Sequence, residues 1–173
     1  MRIELDRLQE TGDRFAHVYA PEELVLDEEH ARLTEPPEVE ARVRMSGHEV
    51  RLRGKITARA EVDCDRCLKS VAVPVETEFD VTYVPEDDYR ASEAAELQEE
   101  DLSLSVFDGE TIDVDELVRE QLLLALPTRA LCTEECKGLC PVCGADLNAD
   151  ACGCDTKEID PRWEALKAMR NDE

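Results

Sequence analysis

At 173 residues the chain is the size of one ordinary domain, with room for a small appended module. Hydrophobic residues make up 42%, too many for a disordered chain, and aromatics only 4%, so the core must rest on Leu, Val, Ile and Ala. A formal charge of −23 repels phosphate backbones and anionic lipid, so any nucleic-acid contact must use a local basic patch; it attracts basic proteins, although solubility alone explains it equally well.

The first residues, Met1-Arg2-Ile3-Glu4-Leu5-Asp6-Arg7, contain no unbroken apolar run, so no signal peptide is expected. No apolar stretch is long enough to cross a bilayer, and the expected location is cytoplasmic, with no membrane partner. Strands are predicted around Ile3–Leu5 and Phe15–Tyr19, and Pro21 favours a helical turn over Glu22–Leu26.

Three longer segments then alternate apolar and polar residues as half-buried strands do. Val39, Ala41, Val43 and Met45 share one face of the first. After a turn at Ser46-Gly47, Val50, Leu52, Gly54, Ile56, Ala58, Ala60 and Val62 share a face of the second. Val71, Val73, Val75, Thr77, Phe79, Val81 and Tyr83 do so in the third. Short connections imply antiparallel hairpins around one buried face, in a partly barrel-like sheet. Residues 85–101 read as an acidic solvated loop with a short helix, followed by a strand at Leu104–Phe107.

A helix begins at Asp113, an N-cap with Glu116 three residues on, and stops at Pro127. Its second half, with Leu122, Leu124 and Leu126, is apolar on nearly all sides and is expected to be buried. A last helix starts at Asp160-Pro161, and Trp163, Leu166 and Met169 form its docking stripe.

Eight cysteines fall into four close pairs: Cys64/Cys67, Cys132/Cys136, Cys140/Cys143 and Cys152/Cys154. In a reducing compartment, paired cysteines read as metal ligands or redox groups before disulfides. Tetrahedral zinc needs four thiolates, and one short turn such as Cys140-Pro141-Val142-Cys143-Gly144 can supply two. Cys140, Cys143, Cys152 and Cys154 are close enough in sequence to form a first site. Cys64, Cys67, Cys132 and Cys136 would form a second and clip the sheet to the end of the helix. Zinc could instead take Cys132, Cys136, Cys140 and Cys143, leaving four free thiols. Redox catalysis is the competing reading, but neither CxxC sits at a strand-to-helix junction that would lower a thiol pKa. The resulting expectation is an α+β fold. Residues 1–127 form a sheet body with a buried helix, and residues 128–173 a cysteine-rich zinc module with a C-terminal helix.

One local region is basic. Arg51, Arg53, Lys55 and Arg59 project from the polar face of a single predicted strand, the best candidate for RNA phosphate contact. Cross-strand pairing with Glu76, Glu78 and Asp80 is the simpler account of the same stripe. Between Cys132 and Cys154 four carboxylates face one lysine, which points to a structural clip or protein contact rather than a phosphate-gripping finger. His17, His30 and His48 are isolated, and HExxH, GxSxG and a phosphate-cradling glycine loop are all missing. No catalytic residue and no small-molecule substrate is therefore assigned.

The run Glu120-Gln121-Leu122-Leu123-Leu124-Ala125-Leu126-Pro127 is followed by Leu131-Cys132 and Cys136-Lys137-Gly138-Leu139-Cys140-Pro141-Val142-Cys143-Gly144. Together with Cys64-Asp65-Arg66-Cys67-Leu68 and Asp160-Pro161-Arg162-Trp163, it closely resembles the YceD family over roughly residues 40–170. The resemblance implies a bacterial or plastid-type protein needed for accumulation of large-subunit ribosomal RNA, and it carries over no catalytic residues. The expected function is a ribosome biogenesis factor, a zinc-stabilised binding protein. Its partner would be a basic ribosomal protein or a large-subunit assembly intermediate, with a weak ribosomal RNA contact through the basic stripe. The alternatives are an acidic adaptor that touches protein only, and a thiol–disulfide protein.

Overall fold

The computed structural model describes residues 1–5, 12–26, 28–92, 102–154 and 162. In chain order its elements are β1 (Arg2–Glu4), β2 (Asp13–Val18), β3 (Ala31–Ser46), β4 (Glu49–Asp63) and β5 (Ser70–Pro85). There follow α1 (Glu86–Ser92), β6 (Leu104–Phe107), β7 (Thr111–Asp113) and α2 (Val114–Ala125). The helix predicted from Asp160-Pro161 lies outside the described residues.

The three alternating segments form β3, β4 and β5, long antiparallel neighbours at the centre of a five-stranded sheet in the order β2-β3-β4-β5-β6. Their apolar positions face one way: Val39, Val43, Val50, Leu52, Ile56, Val75 and Phe79 are all buried. Each such side chain contributes about 1.5–3 kcal/mol when fully removed from water. Gly54 of β4 stands between Ala41 of β3 and Phe79 of β5. A Cβ there would lie 2.4 Å from the Glu40 carbonyl oxygen and 2.7 Å from the Phe79 ring.

Two features of the expected sheet are corrected. Among the described residues it does not close into a barrel: β2 and β6 are its edges, and β1 and β7 pair in a separate two-stranded ribbon. Ile3 and Ile112 of that ribbon join Val114, Leu117, Val118 and Leu122 of α2 in covering the apolar face. A helix therefore does the job that closure would have done. Nor is the sheet wholly antiparallel, because β6 runs parallel to β5. A parallel pair needs a crossover, and the connection containing α1 supplies it.

β3 starts eight residues before the alternating pattern, at Ala31, and crosses Pro36-Pro37 with two register shifts against β4. Proline cannot donate to a ladder, so such a run reads as a break in sequence and is accommodated as a bulge. Residues Pro21–Leu24 form a turn, with Glu22 at φ 67, rather than a helical start. α2 opens as expected, the Asp113 carboxylate accepting from the amides of Asp115 (3.0 Å) and Glu116 (3.4 Å). Its second half is buried on one side only: Leu122 is inside, whereas Leu124 is 72% exposed.

Candidate metal centres

The hairpin joining β4 to β5 is short and carries Cys64 and Cys67. Cys64 N–H donates to the Lys69 carbonyl (2.9 Å) and Leu68 N–H to the Cys64 carbonyl (2.9 Å), folding both sulfurs to one side. The chain leaving α2 is fastened onto this turn by reciprocal bonds. Asp65 N–H donates to the Ala130 carbonyl (2.9 Å), and Ala130 N–H donates to the Asp65 carboxylate (2.8 Å). Arg66 Nη1 donates to the Cys136 carbonyl at 2.5 Å, and Leu139 N–H to the Arg66 carbonyl at 3.0 Å. Gly138 is required at this crossing: its φ is +76, and a Cβ would stand 2.9 Å from the Arg66 carbonyl oxygen.

The result brings Cys64, Cys67, Cys132 and Cys136 together, all four sulfurs within 4.8 Å of one another. Cys64 and Cys136 are 3.8 Å apart and Cys67 and Cys132 3.5 Å. A tetrahedron with metal–sulfur bonds of about 2.3 Å has edges of about 3.8 Å. A disulfide would need about 2.05 Å, and all eight cysteines are free thiols. Cys64, Cys67 and Cys136 are buried and packed by Val71, Leu131 and Leu139.

The second group is Cys140, Cys143, Cys152 and Cys154, its sulfurs also within 4.8 Å of one another. Cys140 N–H donates to the Ala145 carbonyl and Gly144 N–H to the Cys140 carbonyl, both at 2.8 Å, winding the Cys140–Cys143 turn. Only Cys140 is buried here, and Cys143 is exposed. The two groups share neighbours. Lys137 N–H donates to the Asn148 side-chain oxygen (2.8 Å), whose amide nitrogen donates to the Cys136 sulfur (3.4 Å). Lys69 pairs with Asp146 at 2.6 Å.

The electrostatics suit a cation. The Cys132 amide leads the backbone donors that lower Cys64 to about 6. The amides of Cys143 and Val142 lower Cys140 to about 6 in the same way. Cys136 is lowered as well, against burial, by the Asn148 side chain and the Gly138 amide, but Cys67 and Cys154 move the other way. The Lys69 amide pulls Cys67 down, but burial and hydrogen bonding with the neighbouring thiols push it up to about 12. Cys154 is pushed to about 12 by its hydrogen bond with Cys143 and by burial. Four thiolates this close repel one another, and a dication at the centre removes that obstacle. Each group can hold a metal ion.

The structure thus assembles both predicted groups of four rather than the grouping of Cys132 and Cys136 with Cys140 and Cys143. Sequence reasoning missed the framing residues. Asp65 and Arg66, noted as part of the Cys64–Leu68 motif, are used to bind backbone of the segment that follows α2. Asn148 carried no sequence signal at all. The basic stripe is paired: Arg51 binds Asp80 through two nitrogens (2.7 and 2.8 Å) and Arg53 lies 3.9 Å from the same carboxylate. Lys55 meets Glu76 at 2.5 Å and Arg59 meets Glu35 at 3.4 Å.

The family described as Large ribosomal RNA subunit accumulation protein YceD matches residues 52–170, a span that holds all eight cysteines. The chain belongs to the YceD family. An uncharacterized protein of Mycobacterium tuberculosis (strain H37Rv) is 33% identical over 132 residues, 76% of this chain and 61% of its own length. The chain thus spans about three fifths of the mycobacterial relatives it matches. The Arabidopsis thaliana protein named Large ribosomal RNA subunit accumulation protein YCED homolog 1, chloroplastic, is 36% identical over 59 residues, 34% of this chain and 18% of that one. The Bacillus subtilis protein YlbN is 24% identical over 139 residues, 80% and 76% of the two chains. No solved structure matches. Among the described residues, no helix of this YceD-family chain is long and apolar enough to cross a membrane.

Proposed function

We propose that this protein is a large-subunit ribosome biogenesis factor that supports accumulation of the large ribosomal RNA by binding, without catalysing a reaction. The observation that carries the reading is the YceD match, which encloses both cysteine groups. The name of the chloroplast relative supports it.

Zinc is the metal proposed for both groups. With four cysteines each, they are closed sites: every tetrahedral position is filled by protein and none is left for an activated water, as in structural zinc sites. Zinc at the Cys64 group would fix the β4–β5 hairpin to the segment following α2, and zinc at the Cys140 group would close that segment on itself, stiffening a surface rather than reacting. The direct partner proposed is a basic ribosomal protein or a large-subunit assembly intermediate in the cytoplasm. A charge of −23 attracts it, and raising the salt concentration screens that attraction.

Depleting the protein in its own host should lower the large-subunit ribosomal RNA relative to the small-subunit RNA. A tagged chain should co-sediment with large-subunit precursors. Normal RNA ratios after depletion, with the tagged chain only in light fractions, would rule the reading out.

A further inference from the structure

The polar face of the five-stranded sheet carries a concentration of one charge that the rest of the chain does not prepare for. Strand register places Arg14 opposite Arg42 and Arg42 opposite Arg53, so three arginines form a row across β2, β3 and β4. Arg44 stands opposite Arg51 in the next row on the same face. All five are exposed. They line one surface depression of about 770 Å³, in which Glu40 is the only carboxylate among the described residues.

Like charges directly opposite each other on neighbouring strands are destabilising. Carboxylates to offset them are abundant, since the chain has 43 acidic residues against 20 lysines and arginines. The sheet uses them at the other end of the stripe, where Lys55 and Arg59 each have their own acid. In the arginine cluster only Arg51 and Arg53 have one, and they share Asp80. Among the described residues Arg14, Arg42 and Arg44 form no ion pair.

We propose that this arginine face is a phosphate-binding surface whose ligand is the backbone of folded RNA. The identification of RNA rests on the biogenesis reading above; the anion specificity rests on the face itself. Neighbouring strands are about 4.8 Å apart and same-face residues along a strand about 6.8 Å apart. The five guanidiniums therefore cover a patch about 10 Å by 7 Å, enough for several phosphates at once. All five are arginine, whose planar fork matches phosphate oxygens two at a time. No exposed aromatic ring lies among them for base stacking: Phe15, at the margin, belongs to the opposite, packed face. Contact is thus to backbone without base readout, as helical RNA is bound largely by shape and phosphate. The acidic remainder gives the contact a direction. At physiological salt, charges beyond about 8 Å are screened, so the patch acts locally while the rest of the surface turns RNA away.

The test is a titration of the full-length, metal-loaded chain into a fluorescent 20-base-pair RNA hairpin across a salt series. Polyglutamate serves as a competing acidic polymer. Arg14→Gln/Arg42→Gln/Arg44→Gln should weaken hairpin binding at least tenfold and reduce the log–log salt slope by about 2–3, roughly one unit per lost phosphate contact. Lys55→Gln/Arg59→Gln, on the same face but already paired with acids, should change affinity less than threefold. Melting temperature and metal content confirm that each variant is folded. The triple variant should be at least as stable as the parent, because it relieves like-charge contacts.

No hairpin binding by the folded parent would reject the phosphate surface, whatever depletion does to ribosomal RNA in cells. Equal losses in the two variants would reject its location. If polyglutamate bound as tightly as RNA and lost binding in the triple variant, the occupant would be an acidic protein and the RNA assignment wrong. The biogenesis reading is judged separately, by the RNA ratio after depletion.

Discussion

Replacing Cys64 with serine should destabilise the protein more than replacing Cys152 with serine, although each removes one ligand from one group of four. The difference lies in how much chain each metal closes. Cys64 and Cys136 are 72 residues apart in sequence, whereas Cys140 and Cys152 are 12 apart. Cross-linking removes loop-closure entropy from the unfolded chain in proportion to the logarithm of the loop, so the larger loop gains about 1.6 kcal/mol over the smaller. For a chain of this length that corresponds to a melting temperature about 3–6 °C lower for Cys64→Ser than for Cys152→Ser. Burial adds in the same direction, because Cys64 is fully enclosed and a serine hydroxyl there loses both metal and water. Metal per chain, measured by mass spectrometry, should fall from two equivalents to one in both variants. Thermal unfolding followed by circular dichroism gives the comparison. If Cys152→Ser melts at the same temperature as Cys64→Ser or below it, the long loop is not what the buried metal stabilises.

Gly138→Ala should cost about 1–2 kcal/mol from its left-handed backbone alone. It should weaken metal binding at the Cys64 group, which its clash with Arg66 disturbs, and leave the Cys140 group loaded; competition with a chelator resolves the two. Gly54→Ala should destabilise by about 1–3 kcal/mol through overpacking, read by urea unfolding, with metal content unchanged. Tyr19→Phe deletes the hydroxyl that donates to Asp115 at 2.8 Å. A bond to a charged group is worth about 1.5–3 kcal/mol, which the same urea curves would show as a lower midpoint.

The central strands were legible because apolar residues, interrupted only by Gly54 and Thr77, recur every second residue from Val50 to Val62 and from Val71 to Tyr83. The cap of α2 was legible because Asp113 and Glu116 have the spacing that helix starts use. β7 was not, since three residues offer no periodicity and its pairing with β1 bridges more than a hundred positions. Parallel pairing of β6 was hidden for the same reason: nothing in Leu104–Phe107 says which neighbour it chooses. In the cysteine groups, spacing proposed the pairs, but which pairs meet depends on contacts such as Asp65 with Ala130 that have no local signature. The arginine face shows the limit most plainly. Arg51 and Arg53 were visible along one strand, whereas Arg14, Arg42 and Arg44 join them only through register across strands.

The long loop closed at Cys64 also sets an order of events during synthesis. Cys64 leaves the ribosome 72 residues ahead of Cys136, with Cys67 close behind it, a gap of roughly 4–14 s at bacterial elongation rates of about 5–20 residues per second. Between them lie β5, α1, β6, β7 and all of α2, so the four sulfurs can meet only after those elements have been made. Metal capture at this group would therefore follow synthesis of the sheet body rather than precede it. For that interval two thiols destined for the interior stand in solvent, where oxidation or a stray metal can intercept them. A cell short of metal, or under oxidant, would accumulate chains with the sheet formed and the clasp open. Supply of one ion would then govern how much of this protein reaches its working shape.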